Sequence, residues 1–176
     1  NMDNAIIIYI SGKKEKPIIV NIFEESGRRY FENLEIAWSV YEIMGVSLVD
    51  MNVWKLMYQY PNATPVELKN QIIAIAKDIW NKYYAHVFGI KDQTILAIYS
   101  HMIDAPLYLS AYPIGHLIQF QIEQYLKGKD FANEILRIYS LGRLTPDWWM
   151  IKATGSKLSS EPLLKAADES VKKLMQ

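Results

Sequence analysis

The sequence predicts an all-α protein. Three observations carry this: apolar residues recur every three or four positions from Arg29 onward, several segments open on helix-start signals, and glycines stand where those segments should stop. The first 28 residues read differently. Ile6–Ile10 and Ile18–Phe23 are β-rich runs joined by Gly12-Lys13-Lys14-Glu15-Lys16-Pro17, the pattern of a small β-hairpin with a solvated turn. The expected organisation is therefore a hairpin-like segment over 1–28 and a single helical domain over 29–176.

The helical elements can be justified in order. Leu34, Ala37, Trp38, Tyr41 and Met44 share one face before Gly45 interrupts, and Val49, Val53, Leu56, Met57 and Tyr60 continue until Pro61. Thr64-Pro65-Val66-Glu67 has the form of a capping box with proline in the first helical turn. It opens a helix with Leu68, Ile72, Ile75, Ile79, Tyr83 and Val87 on one face, closed by Gly89. Asp92 is placed to cap a short helix through Ile95, Ile98, Tyr99 and Met102. Leu107–Lys127 reads as a long helix ending at Gly128, with Pro113 forcing a kink or a late start. Asp130 opens a helix that stops at Gly142, and Thr145-Pro146-Asp147 and Ser160-Glu161-Pro162 open two more.

Composition narrows the function. Lys and Arg number 19 and Asp and Glu number 19, so no net field draws the chain to nucleic acid or to an anionic membrane. No apolar run reaches the roughly 20 residues of a membrane-spanning helix. Cysteine is absent, which removes disulfides and thiolate metal sites and fits a cytoplasmic protein. Twelve tyrosines and five tryptophans suit a groove or a subunit interface, and they equally suit broad helix-packing faces.

No complete catalytic motif is present. His86, His101 and His116 are the only histidines, and none belongs to His-Glu-x-x-His, in which two imidazoles four residues apart grip zinc. No metal site is therefore expected, the weak pair His101 and Asp104 included. Glu24-Glu25 reads as a solvated loop pair. One stretch, Tyr99 to His116, is chemically richer. Tyr108 and Tyr112 stand at i and i+4, which on a helix puts both phenols on one face, and Gly115 would admit a close backbone. A phenol is a neutral donor able to stabilise a developing oxyanion, and His101 could assist or bind a substrate carbonyl. The same residues could instead pack helix on helix around a buried His101.

From Leu34 to Leu174 the chain resembles the C-terminal helical region of the zinc oligopeptidases related to thimet oligopeptidase and oligoendopeptidase F. The likeness lies in Tyr41–Met51, Pro61–Leu68, Ile79–Gly89, Ser100–Asp104 with the tyrosine-rich stretch, and Leu144–Asp147. The resemblance implies the C-terminal part of a zincin-type fold. It also implies that His101, Tyr108 and Tyr112 line the substrate groove and stabilise the tetrahedral intermediate, with Tyr99 and Gly115 at the substrate. The family's zinc motif and third ligand precede this region and are absent here, so the chain itself is expected to hold no cofactor and to be inactive alone. Its expected partners are a peptide substrate or an upstream zinc-bearing domain, with an apolar face around His101 and Tyr108 that a homodimer could cover. A non-catalytic binding module built on the same scaffold is the alternative.

Overall fold

A computed structural model describes residues 5–8, 18–21 and 25–175, with side chains from residue 27. Among them are eight α-helices: α1 Glu25–Gln59, α2 Pro65–Tyr83, α3 Ala85–Phe88, α4 His101–Asp104, α5 Ala111–Leu126, α6 Phe131–Tyr139, α7 Pro146–Thr154 and α8 Glu161–Leu174. The all-α expectation holds for this body of the chain. Ahead of it, β1 (Ala5–Ile8) and β2 (Ile18–Asn21) pair antiparallel, with Ala5 opposite Asn21 and Ile8 opposite Ile18. The expected turn between them, and Glu24 before α1, lie outside the described residues. Glu25, expected in a loop, is the first residue of α1.

The local start and stop signals act as anticipated. Thr64 Oγ1 accepts from the Glu67 amide at 3.3 Å while Glu67 Oε2 accepts from the Thr64 amide at 2.8 Å, so the capping box is reciprocal. Asp130 accepts from the Asn133 amide and starts α6. Gly89 and Gly155 take the left-handed conformation that ends α3 and α7.

The helices divide into two compact units. One comprises residues 39–115. Its core is Val46, Val49 and Val53 of α1, Ala76, Ile79 and Trp80 of α2, and Tyr84, Ala85, Leu96, Met102 and Leu109 after them. Here the sequence expectation fails twice, for one reason. Gly45 does not interrupt α1, and the helix from Pro65 does not run unbroken to Gly89 but breaks at Tyr84. The Tyr84 ring turns inward, lies 4.8 Å from the Tyr41 ring and 5.5 Å from the Trp80 ring, and its hydroxyl donates to the Tyr41 carbonyl at 2.6 Å. A Cβ at position 45 would sit 2.6 Å from two carbons of that ring. Glycine is thus needed for its missing side chain, and the helix passes through it.

One further expectation is corrected in the same unit. Asp92 caps no helix. It adopts a positive φ of 58° and exchanges bonds with Asn81, whose amide donates to Asp92 Oδ1 at 2.9 Å and accepts from the Asp92 backbone at 2.8 Å. Residues 95–102 therefore form a 3-10 turn, Ile95–Ala97, before α4. Of the kink or late start expected at Pro113, the late start forms: α5 begins at Ala111, so Pro113 falls in its first turn, where a missing N–H costs nothing. Asp50, on α1, is fully buried with neither carboxylate oxygen hydrogen-bonded among the described residues.

The other unit comprises residues 1–38 and 116–176. Phe120, Ile138, Met150, Ala153 and Leu163 are its buried apolar residues. Buried Gln121 ties the α7–α8 connection down by donating to Ser156 Oγ and the Lys157 carbonyl, each at 2.8 Å, and accepting from the Ser159 amide at 3.0 Å. Arg137 bonds Glu134, the Tyr125 hydroxyl and the Lys152 and Ala153 carbonyls, joining α6 to α5 and to the end of α7. Among the described residues no helix is long and apolar enough to cross a membrane.

Two outcomes follow for the unit of residues 39–115. Gly45→Ala should lower the unfolding free energy by about 1–3 kcal/mol through overpacking, and Gly45→Ala with Tyr84→Leu should recover part of it; urea denaturation of the wild type, the two single variants and the double variant measures this. Burial pushes the Tyr84 phenol up to about 12, against about 10 in an unfolded chain. The unfolded state then loses this proton first, so the contribution is intact below pH 10 and declines as pH rises toward 12. A thermal melt series should show that decline, and Tyr84→Phe should flatten it; equal slopes in both proteins would refute the assignment.

Candidate functional site

The residues singled out in the sequence fall on a short irregular segment, residues 99–112, of the unit spanning 39–115. Its geometry comes from what it buries. Met102, on α4, and Leu109, in the turn after it, are sunk in the core beside Leu96. Trp54 Nε1 donates to the Met102 carbonyl at 3.2 Å and holds α4 against α1. Between these anchors Leu107 takes a positive φ of 62°, Tyr108 N donates to the Ala105 carbonyl, and Ala111 N donates to the Tyr108 carbonyl. With Met102 and Leu109 committed inward, Tyr108 and Tyr112 are left largely in solvent.

His101, Tyr108 and Tyr112 come together there. The His101 and Tyr108 rings stack with centroids 6.0 Å apart and planes 12° from parallel. Tyr112 meets Tyr108 edge to face at 5.4 Å and 84°. The expected shared helix face is not the cause, because Tyr108 precedes α5 and only Tyr112 is helical. The turn brings the rings together instead. His101 is half-buried, Tyr108 is 49% exposed and Tyr112 is 46% exposed, so the alternative of a buried histidine among helix-packing tyrosines is not what forms.

Tyr99 is exposed just before α4, and its carbonyl accepts from the Met102 amide. Gly115 is exposed, and a Cβ there would meet nothing within 4 Å, so no backbone takes the close approach foreseen at that position. His116 lies at 3.3 Å from Gln119 Oε1 on its own helix. Among the described residues His101 and Asp104 form no ion pair, and no three His, Asp or Glu side chains gather to hold a metal. The donor set here therefore does not fit the zinc of the oligopeptidases.

The electrostatics are those of neutral donors. Hydrogen bonding to Tyr108, then desolvation and the neighbouring Tyr108 charge, pushes the Tyr112 phenol above the usual tyrosine value. Such a phenol keeps its proton through neutral pH and remains a donor. Stacked rings with polar edges present flat apolar area together with hydroxyl and imidazole groups, which suits a peptide's side chains and carbonyls.

Sequence reasoning missed Trp54, which holds α4 from 48 positions away. No local pattern marks it. It also missed a hollow of about 730 Å³ at the α1–α2 turn, lined by Leu56, Tyr60, Pro61, Asn62 and Gln71 among others. That hollow contains none of His101, Tyr108 and Tyr112, and its Glu67 is already engaged by Thr64. The cluster of His101, Tyr108 and Tyr112 is the better candidate because its polar groups are adjacent and largely exposed.

Comparison with protein-family models, with curated proteins and with solved structures finds no match to this chain.

An ultraviolet pH titration tests the cluster directly. The Tyr112 phenolate should form at higher pH than an ordinary tyrosine, and Tyr108→Phe should bring it back toward about 10. An unchanged Tyr112 midpoint in that variant would show that the phenols do not interact.

Proposed function

We propose that this chain is a peptide-binding helical protein whose binding face is the His101–Tyr108–Tyr112 ladder, equivalent to the substrate-groove wall of the zinc oligopeptidases it resembles. The observation supporting this is the ladder itself. Three side chains, each outside regular helix or at a helix start, meet in one cluster: His101 stacks on Tyr108, and Tyr112 meets Tyr108 edge to face. In this reading the fold is the zincin-type C-terminal region, the setting is cytoplasmic, and an upstream domain supplies zinc and the general base.

The chain's own contribution is binding and donation. Tyr108 and Tyr112 offer ring area to a substrate side chain, and the raised Tyr112 phenol and the His101 imidazole offer donors to a carbonyl. With zinc held by the upstream part, those donors would face the oxygen that gains charge as the peptide carbonyl becomes tetrahedral. Zinc supplies the activation of water when bound; no group in this chain replaces it. A quenched peptide incubated with the isolated chain should stay intact with or without added zinc.

A second reading keeps the binding and removes the catalysis: an interaction module on the peptidase scaffold. The exposed aliphatic residues of the same unit support it. The two readings diverge on addition of an upstream zinc-bearing domain, which restores hydrolysis only under the first.

Binding is measurable in either case. Titration with a mixture of neutral octapeptides, followed by backbone amide NMR, should shift resonances of residues 99–112. Tyr108→Ala should weaken binding by about tenfold, the loss of one well-packed aromatic contact of roughly 1.4 kcal/mol. Tyr108→Phe should weaken it less. Peptide shifts confined to residues outside this segment would remove the proposal.

A further inference from the structure

We infer that the hollow beside the start of α8 binds a free α-amino acid with a neutral polar side chain, its ammonium taken by Glu161 and its carboxylate by Lys165. The hollow has a volume of about 520 Å³ and lies wholly within the unit of residues 1–38 and 116–176. Gln121 and Gln124 of α5, Ser156 and Ser159 of the α7–α8 connection, and Glu161 and Lys165 of α8 form its polar lining.

One part of this lining is fixed and another is uncommitted. Gln121 is 6% exposed, and its amide is engaged by Ser156 Oγ, the Lys157 carbonyl and the Ser159 amide. Ser159 Oγ in turn accepts from the Glu161 amide at 3.1 Å. These bonds run from a buried side chain to the first residue of α8, so they set the connection and the backbone of Glu161 against α5. The side chains of Gln124, Glu161 and Lys165 make no hydrogen bond or ion pair among the described residues. Glu161 and Lys165 stand at i and i+4 with the acid first, the order that ordinarily pairs on a helix. Here both line the hollow unpaired.

Size and charge decide the ligand. The volume lies within the roughly 300–1,000 Å³ of small-molecule sites. An apolar ligand would displace water from these donors and acceptors and give nothing back. An anion such as phosphate would meet the Glu161 carboxylate, and a simple cation would meet Lys165. A neutral polyol would answer two charges with hydroxyls alone. A molecule bearing both charges answers both. In an α-amino acid the ammonium and the carboxylate share one carbon, within reach of two long side chains about 5–6 Å apart at their Cβ atoms. In a peptide those two groups stand at opposite ends, so the free amino acid is the better fit. Gln124 and the Ser156 hydroxyl then offer an amide and a proton to the ligand's own polar side chain. The hollow shares no residue with the 99–112 segment, so its occupancy does not depend on peptide binding.

Isothermal titration of the full chain with L-serine, L-asparagine and L-glutamine, each alone, tests the inference. At least one should bind saturably and shift amide resonances of residues 121–125 and 154–165. The N-acetyl derivative of the bound amino acid lacks the ammonium, and its carboxamide lacks the carboxylate. Each should bind about tenfold more weakly, as for one lost charge-assisted bond. Glu161→Gln should erase the preference over the N-acetyl form alone, and Lys165→Gln the preference over the carboxamide alone. A general loss of folding does not produce that crossed pattern. If Glu161→Gln lowers helicity by circular dichroism, Lys165→Gln, at an exposed position inside α8, carries the test. Absence of saturable binding by all three amino acids overturns the inference. Derivatives that bind as tightly as the parent, equal affinity for inorganic phosphate or glycerol, or shifts confined to other residues overturn it equally.

Discussion

Tyr84 folds its ring over the bare backbone at Gly45, and the unit of residues 39–115 is arranged around that contact. The ring enters because position 45 has no side chain, and its hydroxyl is satisfied by the Tyr41 carbonyl, so a polar tip is buried without an orphan group. Turning Tyr84 inward ends α2 and redirects the chain into α3. Trp80 then stacks on both Tyr84 and Phe88 and donates to the Ile90 carbonyl at 2.7 Å, fixing where the following turn begins. Leu96, Met102 and Leu109 pack onto the same core, and the candidate site is carried by the segment they anchor.

The site and the exposed apolar residues near it are two consequences of one packing pattern. Short elements with a single committed inward residue leave their remaining side chains to solvent. In α4 the inward residue is Met102, so Ile103 is strongly exposed and His101 only half-buried. In the next turn it is Leu109, so Tyr108 is outside. A long amphipathic helix buries a continuous stripe and hides most of its apolar residues. A chain of single turns cannot, and its surplus apolar groups stay in solvent.

How much of this was legible in the sequence depends on the range of the interaction. The all-α class, the Thr64–Glu67 box, the Asp130 cap and the Pro146 and Glu161 helix starts are decided within four residues, and local patterns found them. The passage of α1 through Gly45, the break at Tyr84 and the Asn81–Asp92 exchange depend on partners 11 to about 40 positions away, and propensity has no access to them. The site shows both sides. His101, Tyr108 and Tyr112 were identified by residue type, yet the reason given, a shared helix face, was mistaken. The turn that joins them is set by Leu109 and by Leu107 at positive φ, which no spacing rule anticipates.

Asp50 has a different kind of consequence. A fully buried carboxylate without a hydrogen-bonding partner among the described residues is costly, and a neutral group of the same shape would cost less. Aspartate and asparagine codons differ by a single base. The gene therefore stands one mutational step from a side chain of the same shape with no ionisable group at this buried position.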